Sequence, residues 1–152
     1  MTQSMSKLQT LYDDDYVAWC EDVVAKLRLR NLDNLDFENL IEEVENLARS
    51  DRRELRSRLV VLLAHLLKRL YVNLPDNVNG WELTIIEQRQ QIKELLQDSP
   101  SLKPYLLELL PKVYTDALEL VSSEYRQVEF PNTYPFDKDI NLLLHKKYWI
   151  DT

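Results

Sequence analysis

The sequence predicts an all-α fold: a bundle of four main helices plus a short C-terminal helix, with a long second helix as its spine. Three observations carry this expectation. Five segments repeat apolar residues with the helical period. No segment alternates apolar and polar residues in the way a half-buried strand does. The 152 residues include a single glycine, Gly80, where average usage predicts about ten. Hairpin-rich folds need more, because glycine supplies the positive-φ turns that a Cβ disfavours.

The first helix is expected from about Asp13 to Arg30, on the apolar line Tyr12, Tyr16, Trp19/Cys20, Val23, Leu27. Asp13, Asp14 and Asp15 supply an N-cap and favour the positive end of the helix dipole. A polar link, Asn31 to Leu35, leads to Asp36 as the next cap. The second helix then runs from about Phe37 to Val72 without proline or glycine. Its length would be about 50 Å, against a radius of gyration near 15 Å for a compact domain of this size. Such a helix bends, breaks at the polar waist Arg49–Glu54, or protrudes toward a partner chain. Asn73 to Gly80, NLPDNVNG, reads as the clearest loop. The third helix spans about Trp81 to Asp98, and the fourth about Pro100 to Tyr125 with Ser99-Pro100 as N-cap and N1. Pro111 inside the fourth should kink or restart it. Asp137 caps a last short helix ending near Leu144–His145. Residues 1–10 are expected to be a flexible N-terminus, and 11–150 one helical domain.

Composition removes several function classes. One glycine cannot build a P-loop, a dinucleotide turn or a nucleophile elbow. One cysteine, Cys20, excludes an internal disulfide and any zinc site needing two thiolates, and fits a reducing cytoplasm. The opening MTQSMSKLQT has no apolar h-region, so no signal peptide is expected. The longest apolar run, Leu59 to Leu67, contains His65 and is far short of a membrane span. A net charge of −7 disfavours bulk attraction to nucleic acid or anionic lipid.

A helical wheel singles out four polar residues. With Val44 at 0°, Asp51 falls at about −20°, Arg58 at about −40° and His65 at about −60°, within or at the edge of the apolar stripe. On the third helix Arg89 is central to the line Trp81, Ile85, Ile92, Leu96. Buried charges need partners. A polar layer is therefore expected in which Asp51 neutralises Arg89, Arg58 or both, either as a structural layer fixing register or as a pocket.

The carboxylates Glu38, Glu42, Glu43 and Glu45 suggest a metal-assisted hydrolase, but Glu38 and Glu42 lie at about 120° and 160° from Val44, away from the core. Neither histidine follows a glutamate by three, as a di-iron site would require. No metal and no cofactor are expected, with Glu38, Glu42 and Glu45 as the candidates if one exists. Arg49 to Arg58 is a second alternative, a nucleic-acid patch, weakened by Asp51, Glu54 and the acidic neighbourhood. Charge pairing offers a simpler use. Segment 13–45 has eleven acids against three bases, and segment 49–58 five arginines against two acids. An antiparallel hairpin about residue 33 would set Asp13–Asp15 against Arg49, Arg52 and Arg53, and Arg28 against Glu38.

The runs YDDDYVAWC at 12–20, LDFENLIEEVENLARSDRRELRSRLVVLLAHLLKRLY at 35–71, the helix from Trp81 through QRQQI, and DSPSL at 98–102 together resemble the bacterial family known as domain of unknown function 29, prominent in cyanobacteria. The resemblance covers about residues 11–150. It implies an all-helical, cytoplasmic bacterial protein and supplies no activity, hence no catalytic residue. Arg69-Leu70 follows HLLK where the family leads us to expect a tryptophan. The expected function is a non-catalytic interaction module, as a homodimer or with another protein.

Overall fold

The computed structural model describes residues 11–151. Its helices are α1 (Tyr16–Arg28), α2 (Phe37–Tyr71), α3 (Val78–Asp98), α4 (Leu102–Glu124) and α5 (Ile140–His145), with a 3₁₀ turn at Pro75–Asn77. Residues 11–14 are helical too, and no strand occurs among the described residues. The fold is all-α, with four long helices and a short last one, as the periodicity predicts. The segment expected to be a flexible N-terminus, 1–10, lies outside the described residues. No helix among the described residues is long and apolar enough to cross a membrane.

Contacts divide the chain into two compact units, Met1–Ser50 and Asp51–Thr152. The boundary falls in the polar waist of α2, yet α2 itself is unbroken through it for 35 residues. Every waist residue can hold a helical conformation, and none is proline or glycine. The waist interrupts side-chain packing and leaves the backbone ladder intact.

The second unit holds the large core. Leu55, Leu59, Leu62, Leu63, Leu66 and Leu67 of α2 are buried, at the spacing the stripe requires. α3 adds Trp81, Ile85, Ile92 and Leu96; α4 adds Leu106, Leu110, Val113, Ala117 and Val121. Each fully buried leucine contributes about 1.5–3 kcal/mol from removal of apolar surface from water. Phe130 and Phe136 from the irregular segment, and Leu143 and Leu144 from α5, close the cluster. Aromatic edges hold that irregular segment: Tyr134 packs on Tyr114 at 5.6 Å and on Phe136 at 5.7 Å, and Phe136 on Tyr148 at 5.0 Å.

Several boundaries differ from expectation. Gly80 lies in the first turn of α3, not in a loop, because Pro75 opens a 3₁₀ turn that feeds directly into Val78. Its φ is not positive, so nothing in the backbone requires glycine there. α4 starts at Leu102 after Ser101 and runs through Pro111 as one helix. The cap of α5 is Asp139, whose Oδ1 accepts from Leu142 N at 3.2 Å. Asp137 instead accepts hydrogen bonds from Tyr148 Oη at 2.7 Å and Lys146 Nζ at 3.3 Å, tying the tail down.

Candidate functional site

The first unit is built from α1 and the first half of α2. Asp15 caps α1, its Oδ1 accepting from Ala18 N at 3.0 Å. α1 ends at Leu29 and Arg30, with Arg30 at φ 58 in the left-handed region. Asp36 then starts α2 as expected: its Oδ1 accepts from Asn39 N at 3.4 Å, and its main-chain oxygen accepts from Leu40 N at 3.1 Å. Its other carboxylate oxygen accepts from Trp19 Nε1 at 3.0 Å and Asn39 Nδ2 at 2.8 Å. A buried carboxylate with these donors is satisfied without a cation. Three apolar side chains, Trp19, Val23 and Leu35, form the small buried core of this unit.

Trp19 also organises an aromatic stack. Tyr12 meets it edge-on at 4.9 Å, and Tyr16 stacks on it at 5.9 Å. Both phenols donate to the Glu43 carboxylate, Tyr16 at 2.8 Å. The Glu43 charge disfavours a phenolate, so the hydrogen bond to Glu43 pushes Tyr12 up to about 12 and raises Tyr16 as well. These partners correct the expected hairpin register, which would set Val23 opposite Glu43. The Trp19–Asp36 bond draws the start of α2 back beside α1, so the next turns of α2 reach Tyr16 and Tyr12. The expected pairs are replaced by local ones: Arg49 pairs with Glu45 at 3.1 Å, and Arg28 and Glu38 are both exposed.

Above the stack lies an open groove of about 250 Å³, lined among others by Tyr16, Cys20, Leu27, Leu40, Val44 and Leu47. The groove is open to solvent, with Val44 57% and Leu47 69% exposed in its lining, and Val17 beside it is 65% exposed. Tyr16, Val24, Phe37 and Ile41 are exposed as well. The periodicity correctly gives α2 an apolar stripe here, but among the described residues of this unit α1 is the one long helix that faces it.

The four polar residues singled out by the wheel do not form the expected layer. Asp51 is exposed and has no part in it. Arg89 is buried as expected, but its Nε donates to Leu143 O at 3.1 Å and its Nη2 to Lys146 O at 2.7 Å. These are carbonyls at the C-terminal end of α5, and their partial negative charge accepts the guanidinium in place of the expected carboxylate. Burial lowers the Arg89 pKa, opposed by the neighbouring Tyr148. Arg58 is half-buried and donates to Glu54 at 2.9 Å and Gln88 at 3.3 Å. His65 is half-buried, and its Nδ1 lies 2.8 Å from Val61 O, an acceptor that makes this nitrogen the donor. Burial lowers its pKa, and the Val61 carbonyl partly opposes the shift.

The alternatives fare no better. Glu38 and Glu42 are exposed and Glu45 holds Arg49. No group of three or more His, Cys, Asp or Glu side chains is arranged to hold a metal among the described residues. In the arginine-rich segment, Arg56 pairs with Asp116 at 3.4 Å, Arg58 with Glu54 at 2.9 Å, and Arg52 lies 5.7 Å from the centre of the Tyr105 ring. These guanidiniums serve protein partners rather than forming a free basic face. Arg69 pairs with Glu82 at 2.8 Å and sits over the Trp149 ring at 5.6 Å.

The groove thus stands out as the feature with unmet physical demand. Its floor was partly legible in the line Tyr16, Trp19/Cys20, Val23, Leu27. Glu43 was visible only as one of four acids, though its wheel position, about −100° from Val44, sets it on the seam with Leu40 and Leu47. Over residues 11–149 the chain matches the family model described as domain of unknown function DUF29. Comparison with the curated proteins and with the solved structures finds no match.

Proposed function

The chain belongs to the DUF29 family, and we propose that it is a non-catalytic helical interaction module that binds a protein partner, or a second copy of itself, through the first unit. One observation carries this reading. Tyr16, Val17, Val24, Phe37, Ile41, Val44 and Leu47 are exposed together around the groove of a two-helix unit whose buried core holds three apolar side chains. Contiguous apolar surface of this kind marks interaction sites in soluble proteins, whereas single exposed leucines do not. The single thiol, Cys20, and the family resemblance support a bacterial cytoplasmic setting. Residues 11–150 act as one domain because both units share α2; a single cooperative urea transition followed by far-UV circular dichroism tests that point.

The interaction itself is tested by sedimentation and by co-purification from the native cell, comparing wild type with Val44→Asp. Val44 is exposed, so the variant retains its helix content by circular dichroism while a charge interrupts the apolar face. The expected result is an assembly, homomeric or with a defined partner, that the substitution dissolves. An assembly indifferent to Val44→Asp and Leu47→Asp overturns the reading.

A further inference from the structure

We propose that the groove of the first unit takes a basic amphipathic helix from another protein, lying along the seam between α1 and α2. This rests on the interaction reading above and names the partner's chemistry. The shape argument is geometric. Tyr16 to Leu27 spans about 16 Å of α1, three turns, which matches a partner helix of about 11 residues with apolar positions at i, i+3 or i+4, and i+7.

The charge argument selects the partner. Taking Cys20 as 0° on α1, Val24 and Val17 fall at about +40° and +60°, and Glu21 at about +100°. Taking Val44 as 0° on α2, Ile41 falls at about +60°, Glu45 at about +100° and Glu38 at about +120°. Both helices thus present groove residue, outer apolar residue and carboxylate in the same order. Glu21, Glu38 and Glu45 are all exposed. Against them stand Lys26 and Arg28 on α1, the former held by Asp22, and Arg49 on α2, held by Glu45. Asp13, Asp14 and Asp15 add three exposed carboxylates before α1. Residues 1–50 carry eleven acids and five bases, residues 51–152 fifteen and fourteen, so nearly all of the −7 belongs to the segment that forms the first unit.

A second copy seated groove to groove would bring these same carboxylates together, and like charges across an interface oppose association. A partner with lysine or arginine flanking an apolar ridge meets both demands at once.

The probe is a fluorescein-labelled amphipathic peptide of about 18 residues, with leucine on one face and lysine on the other, read by anisotropy against its leucine/glutamate counterpart. The full chain should bind the lysine peptide at least about tenfold more tightly. Rising salt should narrow that gap. The double variant Glu21→Lys/Glu45→Lys should shift preference toward the glutamate peptide. Val44→Asp should weaken binding of the lysine peptide although it adds a negative charge. Equal binding of both peptides, or tighter lysine-peptide binding by Val44→Asp, overturns the proposal. So does a dimer that Val44→Asp dissolves while neither peptide binds; that outcome leaves the interaction reading standing with a second copy as occupant. If no association of any kind responds to Val44→Asp, both readings fall.

Discussion

One helix, α2, passes through two different environments, and the contrast between them is instructive. In the first unit Val44 and Leu47 lie on its apolar stripe and are 57% and 69% exposed. In the second, Leu55, Leu59 and Leu62 continue the stripe and are fully buried. The residue types and spacing are alike. The difference is in what faces them among the described residues: α3, α4, α5 and the irregular segment contribute to the second core, whereas the first half of α2 is met by α1, the turn at 11–14 before it and the 29–36 link. A helical stripe records a demand for burial, and the number of facing elements decides whether that demand is met within the chain.

The largest effect that sharpens this contrast is a cavity. Leu59→Ala should cost about 2–5 kcal/mol in urea unfolding, whereas Leu47→Ala should stay within about 0.5 kcal/mol. Similar losses at the two sites would mean that the first unit's apolar face is covered in the free protein. Next in size is Arg89. Arg89→Met removes two donors from the end of α5 and should cost about 1–3 kcal/mol. Asp51→Ala should be nearly silent, and the double variant should show the sum of the two. Rescue by the second substitution would restore Asp51 as Arg89's partner.

A smaller gain is expected at Gly80. Its Cβ direction is open, with no heavy atom within 4 Å, and its φ is ordinary. Gly80→Ala should raise stability by about 0.5–1 kcal/mol in thermal unfolding, as in other helix positions. A loss there would mean that the expected loop is real.

The smallest effects are slopes with pH. The folded state lowers the His65 pKa below its usual value near 6.5, so the unfolded chain takes up that proton first. Stability from this group is present above pH of about 6.5 and lost as pH falls through the folded pKa. His65→Gln should flatten that part of the curve. Tyr12 and Tyr16 are raised, so their contribution is present below pH of about 10 and lost as pH rises through the folded values. Glu43→Gln should shrink the alkaline loss, measured as urea midpoints between neutral and alkaline pH. An unchanged alkaline slope would remove Glu43 as the acceptor that ties the first unit together.

The sequence showed the helices because helical periodicity is local and strong, and it placed Arg89 inside for the same reason. Arg89's partners stayed hidden. They are main-chain carbonyls 54 and 57 residues away, and a sequence displays side chains rather than the free carbonyls at a helix end. Asp51 looked like the partner because the wheel treats the whole of α2 as one buried face, while burial begins in earnest only at Leu55. The hairpin register departs from the charge pattern because Trp19 and Asp36, 17 residues apart, form a bond that no charge pattern announces. The groove follows from the same limit as the stripe: spacing gives direction, and coverage depends on tertiary neighbours.

The waist of α2 has a consequence for the lifetime of the chain in a cell. Residues 49–53 are all exposed, between the open apolar face at Val44 and Leu47 and the buried stripe that begins at Leu55. Such a stretch is marginal by itself and is held helical chiefly by the packed turns that begin at Leu55. Local fraying there opens a backbone rich in arginine, the side chain that trypsin-like proteases seek. The first nick in limited digestion should fall at Arg49, Arg52 or Arg53, separating the groove from the core. A ligand that clamps α1 to the first half of α2 would slow that cut without touching the cleavage site.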